Sequence, residues 1–135
     1  RKESVSPEAL SLRDLVYHPA YAEEHFLSFD TPEDHLAGFL RLSLPEDTGM
    51  SGIEELEDAA IIREVHVYGQ SLEVGEDRSG IAQHSGLGTR LIAEAERIAR
   101  EAGYKNLAVI AAVGTRDYYA GRGFELGPYY MTKKL

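Results

Sequence analysis

Asn106-Leu107-Ala108-Val109-Ile110-Ala111-Ala112-Val113 is a stretch of eight residues whose last seven are all apolar, and what stands before it decides the fold. A run of that length without polar alternation is the pattern of a strand covered on both faces. Ahead of it, Leu87, Leu91, Ile92, Ala95, Ile98, Ala99 and Ala102 recur at helical spacing. Glu96 and Arg100 stand four apart as an ion pair, and Gly103 offers a left-handed stop. The spacing predicts a helix over residues 87–102. Further upstream, Ala59-Ala60-Ile61-Ile62-Arg63-Glu64-Val65-His66-Val67-Tyr68-Gly69 is the best strand pattern in the chain. Period two puts Ala59, Ile61, Arg63, Val65 and Val67 on one face and Ala60, Ile62, Glu64, His66 and Tyr68 on the other. Strand, crossover helix and buried strand make one parallel βαβ unit.

Outward from this unit the pattern turns antiparallel. Residues 24–29 and 35–44 read as a hairpin, with Leu36, Gly38, Leu40, Leu42 and Leu44 on one face. Asp30-Thr31-Pro32-Glu33-Asp34 has the composition of the turn between them. Residues 46–58 read as an acidic, solvated loop. Beyond the apolar run, Thr115 is placed to cap a short helix over 116–121, and the chain closes with Phe124-Glu125-Leu126, the Gly127-Pro128 break and a last strand over 129–134. Residues 1–23 read as irregular, with a short helix over 7–16. The expected fold is α/β: one domain, a mixed and mostly antiparallel sheet, and the parallel βαβ unit inside it.

Composition narrows the function. At 135 residues, 43% hydrophobic and 27% charged, the chain fits a single packed domain and not a disordered one. Fourteen basic against 23 acidic residues give a formal net charge of −9, which disfavours a grip on phosphate backbones by this chain alone. With no Cys there is no disulfide, no thiolate metal site and no Cys nucleophile. No apolar run approaches the roughly 18–20 residues that span a bilayer, nothing reads as a signal peptide, and a cytoplasmic setting without membrane contact is expected. No metal site is expected either: His18, His25, His35 and His84 lack ligand spacing and read as surface or turn histidines. The chain opens Arg1-Lys2-Glu3-Ser4, without Met, as a piece of a longer protein would.

Two segments carry chemistry. Gln83-His84-Ser85-Gly86-Leu87-Gly88 stands where the βαβ unit enters its helix. Two glycines there let backbone amides approach a ligand, and the amides of a helix start suit a phosphate or pyrophosphate. A helix entry with no ligand has the same glycines, so the glycines alone leave both readings open. A Walker loop needs Lys-Ser/Thr where Thr89-Arg90 stand, and a dinucleotide fingerprint needs a glycine where Leu91 stands; neither fits. The second segment is Tyr119-Ala120-Gly121-Arg122-Gly123-Phe124. A phenol with an ordinary pKa near 10 can donate a proton or a hydrogen bond, and it can also simply pack at a helix end. Tyr118 points about 100° away on that helix and is the weaker candidate. Glu64 and His66, on one strand face, are candidate general bases, or polar residues at a solvated edge.

Gln-x-x-Gly-x-Gly in this element order resembles the pyrophosphate loop of the GNAT N-acetyltransferases. The resemblance implies acetyl-CoA as cofactor, bound in a cleft between the strand before the loop and the strand after the helix. It implies pantetheine contacts from the backbone of Glu64, Val65, His66 and Val67. Pyrophosphate contacts would come from Gln83, Gly86 and the amides of Leu87, Gly88, Thr89 and Arg90, with Arg90 adding a cation. It also places Tyr119, four residues before Gly123-Phe124, near the thioester sulfur.

A closer likeness rests on five segments in order: Arg63 to Gly69, Gln83 to Gly88, Ala95 to Glu101, Val113 to Tyr119 and Gly127 to Met131. Together they resemble the acetyltransferase domain of the Elongator catalytic subunits (subunit 3) over residues 24–135, most densely from 61 onward. That family modifies the wobble uridine of tRNA at C5, with a radical S-adenosylmethionine domain and an iron–sulfur cluster. This chain lacks the cysteines such a cluster needs. The resemblance therefore implies a segment over 1–23 and a GNAT-type domain over 24–135, cut from a longer protein that reaches tRNA. The longer protein would work as a homodimer or with Elongator-type partner subunits. The competing readings are a conventional protein or small-amine N-acetyltransferase and a non-catalytic CoA-binding module.

Overall fold

The structure is a computed structural model and describes residues 7–68 and 86–135. Seven strands form one sheet: β1 (Ser11–Tyr17), β2 (Ala22–Asp30), β3 (Leu36–Pro45), β4 (Ala59–Val67), β5 (Asn106–Ile110), β6 (Glu125–Leu126) and β7 (Tyr130–Lys134), in the spatial order β1-β2-β3-β4-β5-β7-β6. Among the described residues only β4 and β5 run parallel; every other pair is antiparallel. The parallel pair is joined through α1 (Leu87–Glu101), and a short α2 (Arg116–Ala120) follows β5. The mixed sheet with its βαβ unit is therefore as the sequence predicts.

α1 lies on one sheet face because its apolar stripe has nowhere else to go. Leu91, Ala95 and Ala99 are fully buried, and Ile92 and Ile98 nearly so, in one cluster with Leu27, Leu40, Leu42, Ile62 and Leu107. Its C-terminus closes as a Schellman turn: Tyr104 N–H donates to Ala99 O (3.0 Å) and Gly103 N–H to Arg100 O (3.0 Å), with Gly103 at φ +96°. On the opposite sheet face a smaller cluster gathers Leu56, Ala59, Ile61 and Ala108.

Several local expectations change. Residues 11–17 form an edge strand and not part of an irregular or helical segment, because their backbone completes the ladder of β2 along its whole length. β1 also covers His25, which is no surface histidine: it is buried in β2, with Nδ1 2.9 Å from Asp14 Oδ1 and Nε2 2.7 Å from Glu23 Oε2. The Glu96–Arg100 pair gives way to tertiary partners. Glu96 accepts from Lys133 Nζ (2.9 Å), and the helix-surface pairs join Arg97 to Glu94 and Glu101. Thr115 precedes α2 but caps nothing, since its hydroxyl donates back to Ala112 O (3.1 Å). The loop over 46–58 is not wholly solvated. Leu56 is buried, and Glu55 accepts the backbone amides of Tyr129 and Tyr130 at 3.0–3.2 Å.

β4 departs from strict alternation. Across β3 and β4, Arg41 faces Glu64 while the next residue, Leu42, faces Ile62, so Arg63 is an extra residue, a β-bulge. One inserted residue exchanges the faces of everything beyond it. Ala60 and Ile62 join the α1 core, and past the bulge so do Val65 and Val67. Glu64 and His66 do share a face, as expected, but not the face of Ile62. They look away from α1.

Candidate active site

The site begins where β4 and β5 part. They pair only from Ala59↔Asn106 to Ile62↔Val109, although β4 continues on β3 as far as Val67↔Gly38. The edge of β4 over Glu64, Val65, His66 and Val67 that would continue the ladder toward β5 thus has no strand partner among the described residues. β5 ends early for the same reason: Ile110 is 55% exposed and Val113 78% exposed, so only Leu107, Ala108 and Val109 of the apolar run are buried. Among the described residues the divergence opens a cleft between the two strands, with the backbone of β4 along one wall.

The mouth of α1 faces this cleft. Gly86 is the N-cap, at φ +74°, where a side chain would be strained. The helical ladder starts with Arg90 N–H on Gly86 O (2.9 Å), so the amides of Gly88 and Thr89 lie ahead of it. Gly88 is glycine for a reason the sequence does not show. A Cβ there would run into the hydroxyl of Tyr118 and would stand 3.7 Å from Val67 Cγ2. Three elements converge at that point: the end of β4, the first turn of α1 and α2. Gln83 lies outside the described residues, as do His84, Ser85 and the 69–82 segment.

The two tyrosines of α2 divide their work. Tyr119 is buried at 6% exposure, edge-on to Phe124 (5.5 Å) and to Tyr118 (5.1 Å), and its hydroxyl bonds to no described residue. Burial, with Tyr118 beside it, pushes its phenol up to about 12, so it stays protonated near neutrality. Tyr118 is half-buried. Burial raises its phenol too, opposed by the Arg122 guanidinium stacked on its ring at 3.6 Å. Arg122 also donates from Nη1 to Tyr118 O (2.8 Å) and from Nε to Thr89 Oγ1 (3.2 Å), tying α2 to the first turn of α1. Sequence reasoning gave Arg122 no role; its place in the turn just past the helix, four residues after Tyr118, was the available signal. Arg90 sits with its guanidinium 4.3 Å from the Phe29 ring centroid.

Glu64 and His66 form a separate group on the other sheet face. Arg41 Nη1 donates to Glu64 Oε2 at 2.6 Å, and His66 Nε2 lies 3.0 Å from Glu64 Oε1. Arg41 first, and His66 after it, hold the Glu64 carboxyl below the usual range, which makes it a weak base. The His66 ring stacks on Phe39 at 5.0 Å. Arg41 reaches Glu64 from 23 residues away, so no local pattern announces it.

The fold that carries this arrangement has known relatives. Residues 3–124 match the acetyltransferase (GNAT) family. The chain belongs to that family. A tRNA uridine(34) acetyltransferase of Dehalococcoides mccartyi is 43% identical over 137 residues, which is 100% of this chain and 30% of that protein. Elongator complex protein 3 of Danio rerio is 47% identical over 126 residues, 91% of this chain and 22% of that protein. Among solved structures, the archaeal Methanocaldococcus infernus Elp3 with an N-terminal deletion superposes with a TM-score of 0.78 at 34% identity, covering 97% of this chain and 31% of that one. The chain thus spans about a fifth to a third of the length of these relatives. The likeness to Elongator catalytic subunits read from the five segments is matched by the names of the relatives. The family's acyl-group chemistry draws on acetyl-CoA, and this chain's residues fit such a cofactor. Amide, phenol and guanidinium donors gather at the α1 mouth, and an unpaired strand edge runs alongside.

Proposed function

We propose that this chain is the acetyl-CoA-binding domain of an enzyme that modifies the wobble uridine of tRNA at C5. The observation that carries the reading is the parting of β4 from β5 after Ile62, past which no described strand covers the β5-side backbone of Glu64 to Val67 beside the α1 mouth. Bound there, acetyl-CoA supplies the activated acyl group. The chain's residues do the rest. The backbone of Val65 and Val67 lines the arm of the cofactor, and the amides of Gly88 and Thr89 receive its diphosphate. Tyr119 offers its hydroxyl to the sulfur. Burial raises the Tyr119 phenol, so giving its proton to a thiolate runs uphill. The role assigned to Tyr119 is therefore that of a hydrogen-bond donor that steadies developing charge on sulfur.

Modification at a ring carbon needs no base to strip an amine. Glu64, held ionised by Arg41, is poorly suited to that task in any case. This weighs against a conventional N-acetyltransferase. With a net charge of −9, the hold on tRNA belongs to the remainder of the longer protein, together with its S-adenosylmethionine and iron–sulfur chemistry and any homodimer or partner-subunit contacts. A cytoplasmic location fits a chain without Cys in which no described helix is long and apolar enough to cross a membrane.

Calorimetric titration of acetyl-CoA into this chain, beside tRNA-dependent acetyl release by the full-length enzyme, tests the reading. Tyr119→Phe is expected to bind acetyl-CoA with similar affinity while acetyl release falls on the order of a hundredfold. A well-folded wild type that ignores acetyl-CoA would overturn it, as would brisk acetylation of simple amines without tRNA.

A further inference from the structure

We propose that Arg122 is the cationic contact for the cofactor's diphosphate at the α1 mouth, pre-set for that task by Tyr118 and Thr89. The inference rests on the acetyl-CoA reading and adds a residue that the family's glycine loop does not contain. Three fixed contacts define the side chain. Its guanidinium lies flat on the Tyr118 ring at 3.6 Å, Nη1 donates to Tyr118 O at 2.8 Å, and Nε donates to Thr89 Oγ1 at 3.2 Å. The main chain is anchored as well, since Lys133 Nζ, itself paired with Glu96, donates to Arg122 O at 2.9 Å. These contacts occupy two of the three guanidinium nitrogens. Among the described residues Nη2 donates to nothing.

The position is what makes this arrangement more than a staple. Thr89 follows Gly88 in the first turn of α1, and the Tyr118 hydroxyl lies against Gly88. The Gly88 and Thr89 amides, the Tyr118 hydroxyl and Arg122 therefore lie together as donors, and no carboxylate accepts from Arg122 among the described residues. A guanidinium whose rotamer is already fixed loses little freedom on meeting a phosphate, and its planar fork suits two phosphate oxygens. Arg90, the cation nearest in sequence, has its guanidinium against Phe29 instead.

A merely structural clasp and a phosphate contact differ in which ligand they affect. Acetyl-CoA and S-acetylpantetheine, which carries the same thioester arm without phosphates, are titrated into wild type, Arg122→Leu and Arg122→Lys, with thermal melts on each. Arg122→Leu is expected to weaken acetyl-CoA about tenfold or more and to flatten the salt dependence of its Kd. S-acetylpantetheine should bind all three alike. Arg122→Lys should recover part of the loss, because it restores the charge without the fork. Equal weakening of both ligands, or no change in either, would overturn the assignment. If Arg122→Leu fails to fold, Arg122→Lys decides alone: an acetyl-CoA Kd and salt slope equal to wild type would overturn the proposal. Wild type that binds no acetyl-CoA removes the cofactor reading itself and this inference with it.

Discussion

Gly88 shows how a residue acquires its identity from a neighbour 30 positions away. On the proposed reading the glycine keeps a helix mouth open to a ligand's phosphates, and in the structure the volume beyond its Cα belongs to the Tyr118 hydroxyl. Gly88→Ala should gain up to about 1 kcal/mol of helix propensity and lose about 1–3 kcal/mol to overpacking, for a net destabilisation. With Tyr118→Phe the hydroxyl is gone, and the next atom, Cζ, stands 3.3 Å from that Cβ. The double variant should regain part of the loss, and a denaturant-monitored double-mutant cycle would show the coupling; additive effects would refute it. Glu64 behaves differently, since its partners lower its pKa in the folded chain below the usual 4.5. A carboxyl depressed by folding stabilises the fold above its unfolded value, and that contribution disappears as pH falls through the folded value. Arg41→Met should therefore lower Tm at pH 5 and above, with the gap from wild type closing as pH drops below about 4. A gap independent of pH would mean that Arg41 acts through packing alone.

At the scale of elements, the β4 bulge does the most. One extra residue at Arg63 turns Glu64 and His66 away from α1 and brings Val65 and Val67 toward it. Period-two reading fails past that point because alternation holds only for an uninterrupted ladder. A second device sits at the far edge, where Glu55, on a turn of 3-10 helix over Glu54–Leu56, gathers the amides of Tyr129 and Tyr130 at the start of β7. A Cβ on Gly127 would collide with the same carboxylate. Glu55→Ala strips these amides of a charged acceptor and should cost about 1–3 kcal/mol in chemical denaturation. A loss below half that would show that water replaces the carboxylate without penalty.

The whole molecule is one sheet with a well-covered middle and an open side. β1 is exposed along its full length, with Leu15 65% exposed, yet it shields the backbone of β2 and helps to bury His25. Removing residues 1–18 would turn β2, a strand with a largely buried pattern, into the new edge. Self-association on size-exclusion chromatography and a lower Tm are the expected results; an unchanged monomer profile and Tm would show β1 to be dispensable.

The sequence by itself determined the parts that local chemistry controls. These are the helix over 87–101 with its Gly103 stop, the leucine face of β3, the buried middle of β5 and the glycine mouth at 86–88, because periodicity and glycine freedom are written in neighbouring residues. The segments that resembled the Elongator catalytic subunits were legible for the same reason. Only the tertiary structure decided the rest. β1 took strand form because β2 offered it a ladder. Glu64 lost strength as a base because Arg41 arrived from the adjacent strand. Gly88, Tyr118 and Arg122 came together because α2 packs against the first turn of α1. Each depends on groups far apart in the chain, and spacing in a sequence says nothing about those distances until the sheet has formed.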